Sequence, residues 1–137
     1  MRQIFFSLST IAVFFTFLLI NSCKKEPYIV EYKNIKGYII GKETCNTDEI
    51  KDYWMIDFTY GTNNPKIGDT LFFNGISYNN VLKATGLDPQ LKTVGLRISI
   101  DYNSISPNKV TTTGCSVATP LTYHLKEVTI KNQGEIR

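Results

Sequence analysis

From residue 35 onward, the apolar residues of the chain come in short runs in which they alternate with polar ones, and Gly, Pro, Asn or Asp bounds almost every run. A repeat of two residues is the period of a β-strand with one buried face, whereas an amphipathic helix repeats every 3.6 residues. The clearest run is 96–102, where Leu96, Ile98, Ile100 and Tyr102 share one face and Arg97, Ser99 and Asp101 share the other. The pattern predicts an all-β domain of six or seven strands.

The segment Asp69–Tyr78 gives the best-defined local prediction, a β-hairpin. Asn74-Gly75 at its centre is the preferred pair for a two-residue type I′ turn. Such a turn fixes the pairing of the side chains on both faces: Phe73 with Ile76 and Leu71 with Tyr78 on one side, Phe72 with Ser77 on the other. The turn and the side-chain pattern therefore predict the same register.

Further strands are predicted over 35–41, 53–60 and 121–130. In 53–60 the alternation places Trp54, Ile56, Phe58 and Tyr60 on one face and Tyr53, Met55, Asp57 and Thr59 on the other. Gly37 and Gly41 suit a strongly curved strand over 35–41. A change of phase between Leu125 and Val128 predicts a β-bulge near Lys126 and Glu127.

One short helix of barely two turns is predicted over 88–95, because Asp88 is a good N-cap, Pro89 favours the first helical position and Gly95 ends a helix. After the strand at 96–102, the polar segment through Pro107 is predicted to be a loop. Val110 and the threonines that follow it favour another strand.

The order of these elements, a curved strand with glycines, a hairpin, a short helix and two more strands, resembles the OB-fold over about 35–130. The alternative is an immunoglobulin-like β-sandwich. The resemblance implies a small closed or partly open β-barrel that binds ligands on the face of its second and third strands. In this sequence that face corresponds to Tyr53–Thr59 and the hairpin Asp69–Tyr78.

The start of the chain has the organisation of a secretory leader. Arg2 precedes an uncharged, apolar run from Ile4 to Ile20. The end of this run and the next three residues form the segment Leu19-Ile20-Asn21-Ser22-Cys23. This segment resembles the lipobox of bacterial lipoproteins. The resemblance implies cleavage before Cys23, a diacylglycerol on its thiol and an acyl chain such as palmitate on its new amino group.

The lipobox divides the chain into a signal peptide at 1–22, a tether at 23–34 and the β-domain at 35–137. Two or three acyl chains hold a protein on a membrane without a spanning helix. The alternative is an uncleaved transmembrane anchor, since about 20 apolar residues span a bilayer.

The two remaining cysteines, Cys45 and Cys115, are predicted to form a disulfide, because an exported chain meets an oxidising compartment. Both lie in polar, turn-like segments, so neither is expected in the core. The alternative is a nucleophilic cysteine activated by His124, the only histidine. An enzyme of that kind requires a free thiol within reach of the imidazole.

Charge and ligand chemistry exclude several classes of function. The chain has 15 Lys and Arg against 12 Asp and Glu, with no basic run longer than Lys24-Lys25, so nucleic acid is not an expected partner. No zinc, phosphate-loop or dinucleotide motif is present, and no metal or other cofactor is predicted. The acidic cluster Asn46, Asp48, Glu49 and Asp52 is read as a solvated turn, with a calcium site as the alternative.

Three residues are predicted as binding candidates. Tyr38 and Tyr53 are aromatic but out of phase with the inward-facing residues, and Arg97 on an outer face could hold an anionic ligand. A surface ion pair between Arg97 and Asp101 is the alternative for the arginine.

The sequence thus predicts a lipid-anchored, non-enzymatic binding module of the bacterial cell envelope, on the cell membrane or outer membrane and facing the periplasm or the exterior. Its partners are expected to be the membrane, through the lipid anchor, and an unknown envelope protein or small ligand. The alternatives are an inhibitor of an envelope hydrolase, acting through a loop at 61–68, and a Cys/His enzyme.

Overall fold

The computed structural model describes residues 27–137, without the side chains of 105–108 and 110. The predicted signal peptide 1–22, the lipidation residue Cys23 and the first part of the tether lie outside this range. The domain is all-β, as predicted. Its strands are β1 (Tyr32–Lys42), β2 (Trp54–Asp57), β3 (Asp69–Phe73), β4 (Ile76–Thr85), β5 (Arg97–Val110) and β6 (Leu125–Glu135).

Five of these strands are joined by hydrogen bonds into a ring. Strand β1 pairs antiparallel with β2 and with β5, and β5 pairs antiparallel with β6. Strand β6 then runs parallel to β4, which closes the ring by pairing antiparallel with β2. The ring makes a partly closed, barrel-like sheet, in contrast to the two separate sheets of an immunoglobulin-like sandwich.

The main core fills the inside of this ring, since every ring strand contributes to it. Its buried members are Ile35, Ile39, Trp54, Ile56, Phe58, Leu82, Ala84, Leu87, Ile98, Ile100, Tyr102, Val128 and Ile130. The inward faces predicted for Trp54–Phe58 and for Ile98–Tyr102 are thus confirmed. Tyr60 is the exception, because β2 ends at Asp57 and the Tyr60 side chain is 77% exposed.

Gly37 lies in the inward row of β1, between Ile35 and Ile39. A Cβ at this position would be 2.7 Å from Ile56 Cγ2 and 2.9 Å from the Phe58 ring. These distances are too short for a side chain, so the glycine allows β1 to approach Ile56 and Phe58 closely.

A second core covers the outer face of β1, β2 and β4. It contains Ile40, Met55, Leu71, Val81 and Leu125, with Phe73, Tyr78 and Tyr123 packed against them. The β3–β4 hairpin has the predicted register, Phe73 with Ile76 and Leu71 with Tyr78. Asn74 and Gly75 have φ of 49° and 81°, as a type I′ turn requires.

The predicted helix at 88–95 is shorter than expected. Asp88 accepts a hydrogen bond from Gln90 N (2.9 Å) and Pro89 occupies the first position, but only one 3-10 turn forms, Pro89–Leu91. The residues after it pair with β1 instead, where Gly95 N donates to Ile39 O (2.7 Å) and Ile39 N donates to Leu96 O (3.0 Å). Tertiary pairing therefore ends the helix before its second turn.

The region after Tyr102 also differs from the prediction. Strand β5 continues through Pro107 to Val110, because β6 pairs with it along this length, and the threonines 111–113 are not in a strand. Strand β6 begins at Leu125, while Leu121 makes only an isolated bridge to Thr44.

The predicted irregularity near Lys126 and Glu127 is present, with the extra residues on β5. Ser106 pairs with Glu127, whereas the next pair joins Val110 to Leu125. Leu125 and Val128 pack in different cores, which explains the change of phase in the sequence.

Candidate ligand-binding cleft

A row of three side chains that carry polar groups crosses the outer face of β2, β1 and β5. Tyr38 pairs with Asp57 on one side and with Arg97 on the other. Directly paired residues project from the same face of a sheet, so a carboxylate, a phenol and a guanidinium lie next to one another. The Arg97 Cζ atom is 6.0 Å from the centre of the Tyr38 ring, within the range of a cation–π contact.

A cleft of about 450 Å³ opens beside Tyr38. Its lining residues come from β1, β2, β4 and two loops: Tyr38, Ile39, Ile40, Asp57, Tyr60, Tyr78, Val94 and Gly95. The rings of Tyr38 and Tyr60 meet edge to face, with centroids 6.1 Å apart. The volume and the mainly apolar lining with a few polar groups are typical of small-molecule sites.

Local folding explains how the walls of this cleft form. Gly95 has a φ of +87°, a conformation that side chains rarely adopt, and its hydrogen bond to Ile39 O holds the 93–96 loop against β1. Val94 therefore stands at the edge of the cleft, where it is 62% exposed. Tyr60 lines the cleft from the turn that follows β2, because this strand ends at Asp57.

Asp57 is the one acidic residue among the cleft-lining side chains. It is buried, with 1% of its surface exposed. Among the described residues its donors are the backbone N–H (3.2 Å) and the hydroxyl of Thr59, and both bonds go to Oδ1. Oδ2 is therefore available to accept a hydrogen bond from a ligand donor.

The structure brings two of the three predicted binding residues together, Tyr38 and Arg97. Tyr53 is elsewhere, with its ring 4.8 Å from Lys83 Nζ. Burial, followed by a hydrogen bond to Glu127, raises the pKa of Tyr53 to about 12.

The alternative ion pair between Arg97 and Asp101 is replaced by other contacts. Asp101 accepts hydrogen bonds from Asn34 N (2.7 Å) and the Tyr28 hydroxyl (2.9 Å). The Asn34 N–H is the main reason that the pKa of Asp101 is lowered. The guanidinium of Arg97 instead lies over the ring of Tyr38.

Sequence reasoning did not single out Tyr60 or Val94 as binding residues, whereas Asp57 and Tyr78 lie within the ranges 53–59 and 69–78 that the OB-fold resemblance implied. Tyr60 followed the alternation of Trp54 and Ile56 and was placed in the core. The turn residues Gly61–Pro65 were a signal that the strand ends early. Residues between the end of a strand and a turn no longer follow its two-residue period, so Tyr60 need not face inward. The position of Asp57 beside Tyr38 can be predicted only when the register between β1 and β2 is known.

Cys45 and Cys115 are joined by a disulfide, with their Cα atoms 4.5 Å apart. Cys45 is 2% exposed, so the expectation that neither cysteine lies in the core is wrong for Cys45. His124 is exposed, and its Nδ1 is 2.7 Å from the Thr111 hydroxyl. The Cys/His alternative requires a free thiol, but the sulfur atoms of Cys45 and Cys115 are joined in the disulfide.

The carboxylates of the acidic cluster at 46–52 form hydrogen bonds and an ion pair with neighbouring residues of the protein. Asp52 Oδ1 accepts from Cys45 N (3.0 Å) and Asn46 N (2.8 Å), and Asp48 caps the 3-10 turn Glu49–Lys51. Glu49 forms an ion pair with Lys42. Within residues 27–137, no group of three His, Cys, Asp or Glu side chains is arranged to hold a metal ion.

Glu43 and Lys83 form an ion pair that is fully buried, a feature that sequence reasoning missed. Lys83 Nζ donates to Glu43 Oε1 (3.2 Å), to the Thr112 hydroxyl (2.9 Å) and to Tyr123 O (3.3 Å). Tyr123 N donates in turn to Glu43 Oε1 (2.7 Å). The pair and the disulfide thus fasten residues 111–124, here called the strap, over the second core.

Comparison of the chain with protein families, with curated proteins and with solved structures finds no match. Across residues 27–137, no helix has the length and apolar character needed to cross a bilayer.

Proposed function

We propose that this chain is a lipid-anchored, non-enzymatic binding protein of the bacterial cell envelope, and that the cleft beside Tyr38 is its ligand site. The observation that carries this proposal is the cleft lined by Tyr38 and Asp57, together with the strand register that places Arg97 beside Tyr38. The lipobox at Cys23 is the reason for placing the protein at a membrane.

The strand order supports an OB-like barrel. Counted in chain order, the second and third strands of the hydrogen-bonded ring are β2 and β4, and OB-folds bind ligands on the face of these two strands. Asp57 on β2 and Tyr78 on β4 both line the cleft. The position of the cleft therefore agrees with the binding face that the resemblance implies.

The chemistry of the cleft suits binding of a ligand with an apolar body and at least one hydroxyl, amide or amine donor. The tyrosine rings and Val94 offer apolar contact area at low entropic cost. Asp57 Oδ2 can accept a hydrogen bond from such a donor, and Arg97, which pairs with Tyr38, offers guanidinium donors on the same face of the sheet. A small envelope molecule or a side chain of an envelope protein meets this description.

The test uses the purified protein with its disulfide intact and two soluble panels, one of envelope oligosaccharides and one of short peptides. A ligand that binds the native state raises Tm. Tyr60→Ala is expected to weaken binding of such a ligand about tenfold or more, because it removes one aromatic wall. Phe72→Ala is the matched control, since Phe72 is similarly exposed (72% against 77%) but lies outside the cleft.

The alternative function, inhibition of an envelope hydrolase, is favoured by a different surface. Phe72 and Ile76 beside the β3–β4 turn are 72% and 54% exposed. The loop at 61–68 projects less freely than predicted, because Asn64 Nδ2 donates to Phe58 O (2.9 Å) and Asn80 Nδ2 donates to Pro65 O (3.1 Å). In this alternative Phe72→Ala abolishes binding of the partner and Tyr60→Ala does not, which would contradict the assignment of the site to the cleft.

A further inference from the structure

The chain that enters the domain is fastened to β5 before β1 begins. The Tyr28 hydroxyl donates to Asp101 Oδ2 (2.9 Å), and Glu31 N donates to Asn103 Oδ1 (2.8 Å). Ser104 N donates to the carboxylate of Glu31 (3.1 Å). The last part of the predicted tether, from Tyr28 onward, is therefore attached to the domain.

The length that remains limits how far the domain can move from the membrane. Five residue steps separate Cys23 from Tyr28, and a fully extended chain covers at most about 3.5 Å in each step, or roughly 17 Å in total. A folded domain of ~110 residues has a radius of gyration of about 13 Å, so its diameter exceeds this reach. The surface around Tyr28 therefore stays next to the membrane.

The residues on this surface have the chemistry that a membrane interface favours. Ile29 is 78% exposed and Tyr28 is 54% exposed. Lys33 Nζ lies 5.9 Å from the Tyr28 ring centre, which places a cation beside this aromatic side chain. Tyrosine is enriched at membrane–water interfaces, and lysine is attracted to anionic lipid headgroups.

The acidic residues nearest to this surface are engaged in hydrogen bonds. Asp101 is 7% exposed and accepts from Asn34 N and the Tyr28 hydroxyl. Glu31 accepts from Ser104 N. Over residues 24–33 the sequence has the cations Lys24, Lys25 and Lys33 against the carboxylates Glu26 and Glu31.

We propose that Tyr28, Ile29 and Lys33 form a second membrane contact, which lies on an anionic phospholipid bilayer and fixes the orientation of the domain. This contact presupposes the lipid anchor at Cys23 that is part of the proposed function. Tyr38 follows Tyr32 by six residues along β1, up to about 20 Å at 3.3 Å per residue. The Tyr28 end thus rests on the bilayer while the cleft faces solvent.

The experiment uses the full lipidated protein in vesicles of neutral and anionic phospholipid. An environment-sensitive fluorophore is attached through Ile29→Cys in one sample and through Phe72→Cys in the other, because both native side chains are apolar and similarly exposed. Lipids with a quencher on the acyl chain are expected to quench the label at 29 several-fold more than the label at 72. Lys33→Glu is expected to reduce the quenching at 29 in anionic vesicles.

Flotation of the vesicles separates failure of the anchor from failure of the contact. Protein that floats with the vesicles while the two labels are quenched equally overturns the membrane contact and leaves the lipid anchor intact. Protein that does not float overturns both. Strong quenching at 29 with weak quenching at 72 supports the contact.

Discussion

Replacing Lys83 by methionine is expected to lower the free energy of unfolding by about 3–5 kcal/mol, because a fully buried carboxylate then loses its cation. Glu43 and Lys83 have no exposed side-chain surface, and Glu43 cannot recover the lost interaction from water. Chemical denaturation, followed by the fluorescence of Trp54, measures the change. Most of the effect comes from the charge that remains buried, since both partners were desolvated on folding.

Lys42→Met is the control for this prediction. Lys42 is adjacent in sequence to Glu43 and also forms an ion pair, but its partner Glu49 is 77% exposed. Exposed pairs contribute little, so this variant is expected to lose less than about 1 kcal/mol. The double variant Glu43→Gln/Lys83→Met is expected to lose less unfolding free energy than the sum of the losses for Glu43→Gln alone and Lys83→Met alone. In the double variant no charge stays buried. Equal losses for Lys42→Met and Lys83→Met would contradict the role given to the buried pair.

Loss of the disulfide is expected to destabilise the domain by about 4 kcal/mol, the chain-entropy value for closing a loop of this size. The bond joins residues separated by 70 positions, so its absence greatly enlarges the unfolded ensemble. For ~110 residues this loss corresponds to a fall in Tm of roughly 15 °C. Calorimetry of Cys45→Ala/Cys115→Ala, compared with the oxidised protein, measures it.

Two further comparisons test the same bond. A reductant is expected to lower the Tm of the native protein and to leave that of the Cys45→Ala/Cys115→Ala variant unchanged. The effects of this variant and of Lys83→Met should not be additive, because the bond and the ion pair hold the same strap. An unchanged Tm in the cysteine variant would show that the ion pair and the second core hold the strap without the bond.

The strands that the sequence predicts well are those whose information is local. Asn74-Gly75 determines both the turn and the pairing of Phe73 with Ile76, and the alternation of Ile98, Ile100 and Tyr102 determines which face is inward. These patterns depend on turn chemistry and on the two-residue period, both of which operate within about ten residues.

The parts that the sequence did not predict depend on contacts between distant segments. Lys83 lies between the inward-facing Leu82 and Ala84, in a part of β4 for which the sequence predicted no strand. It is buried because the strap, which begins at Thr111, covers the outer face of β4. Strand β5 likewise continues past Pro107 because β6 pairs with it.

The candidate site shows the same division. Tyr38 and Arg97 could be singled out because each is out of phase with inward-facing neighbours. Their alignment with Asp57 depends on two strand registers, and Tyr60 joins the cleft only because β2 ends at Asp57. Individual candidates were thus accessible from the sequence, whereas the cleft that they form was not.

The most direct test of the account is the intact mass of the protein extracted from bacterial membranes, measured before and after reduction. A lipid-anchored, disulfide-bonded domain predicts the mass of residues 23–137 plus a diacylglycerol and an acyl chain, with an increase of about 2 Da on reduction. A mass equal to residues 1–137 without lipid, unchanged by reduction, would contradict it. That result would make the leader a transmembrane anchor and would leave Cys45 and Cys115 as free thiols.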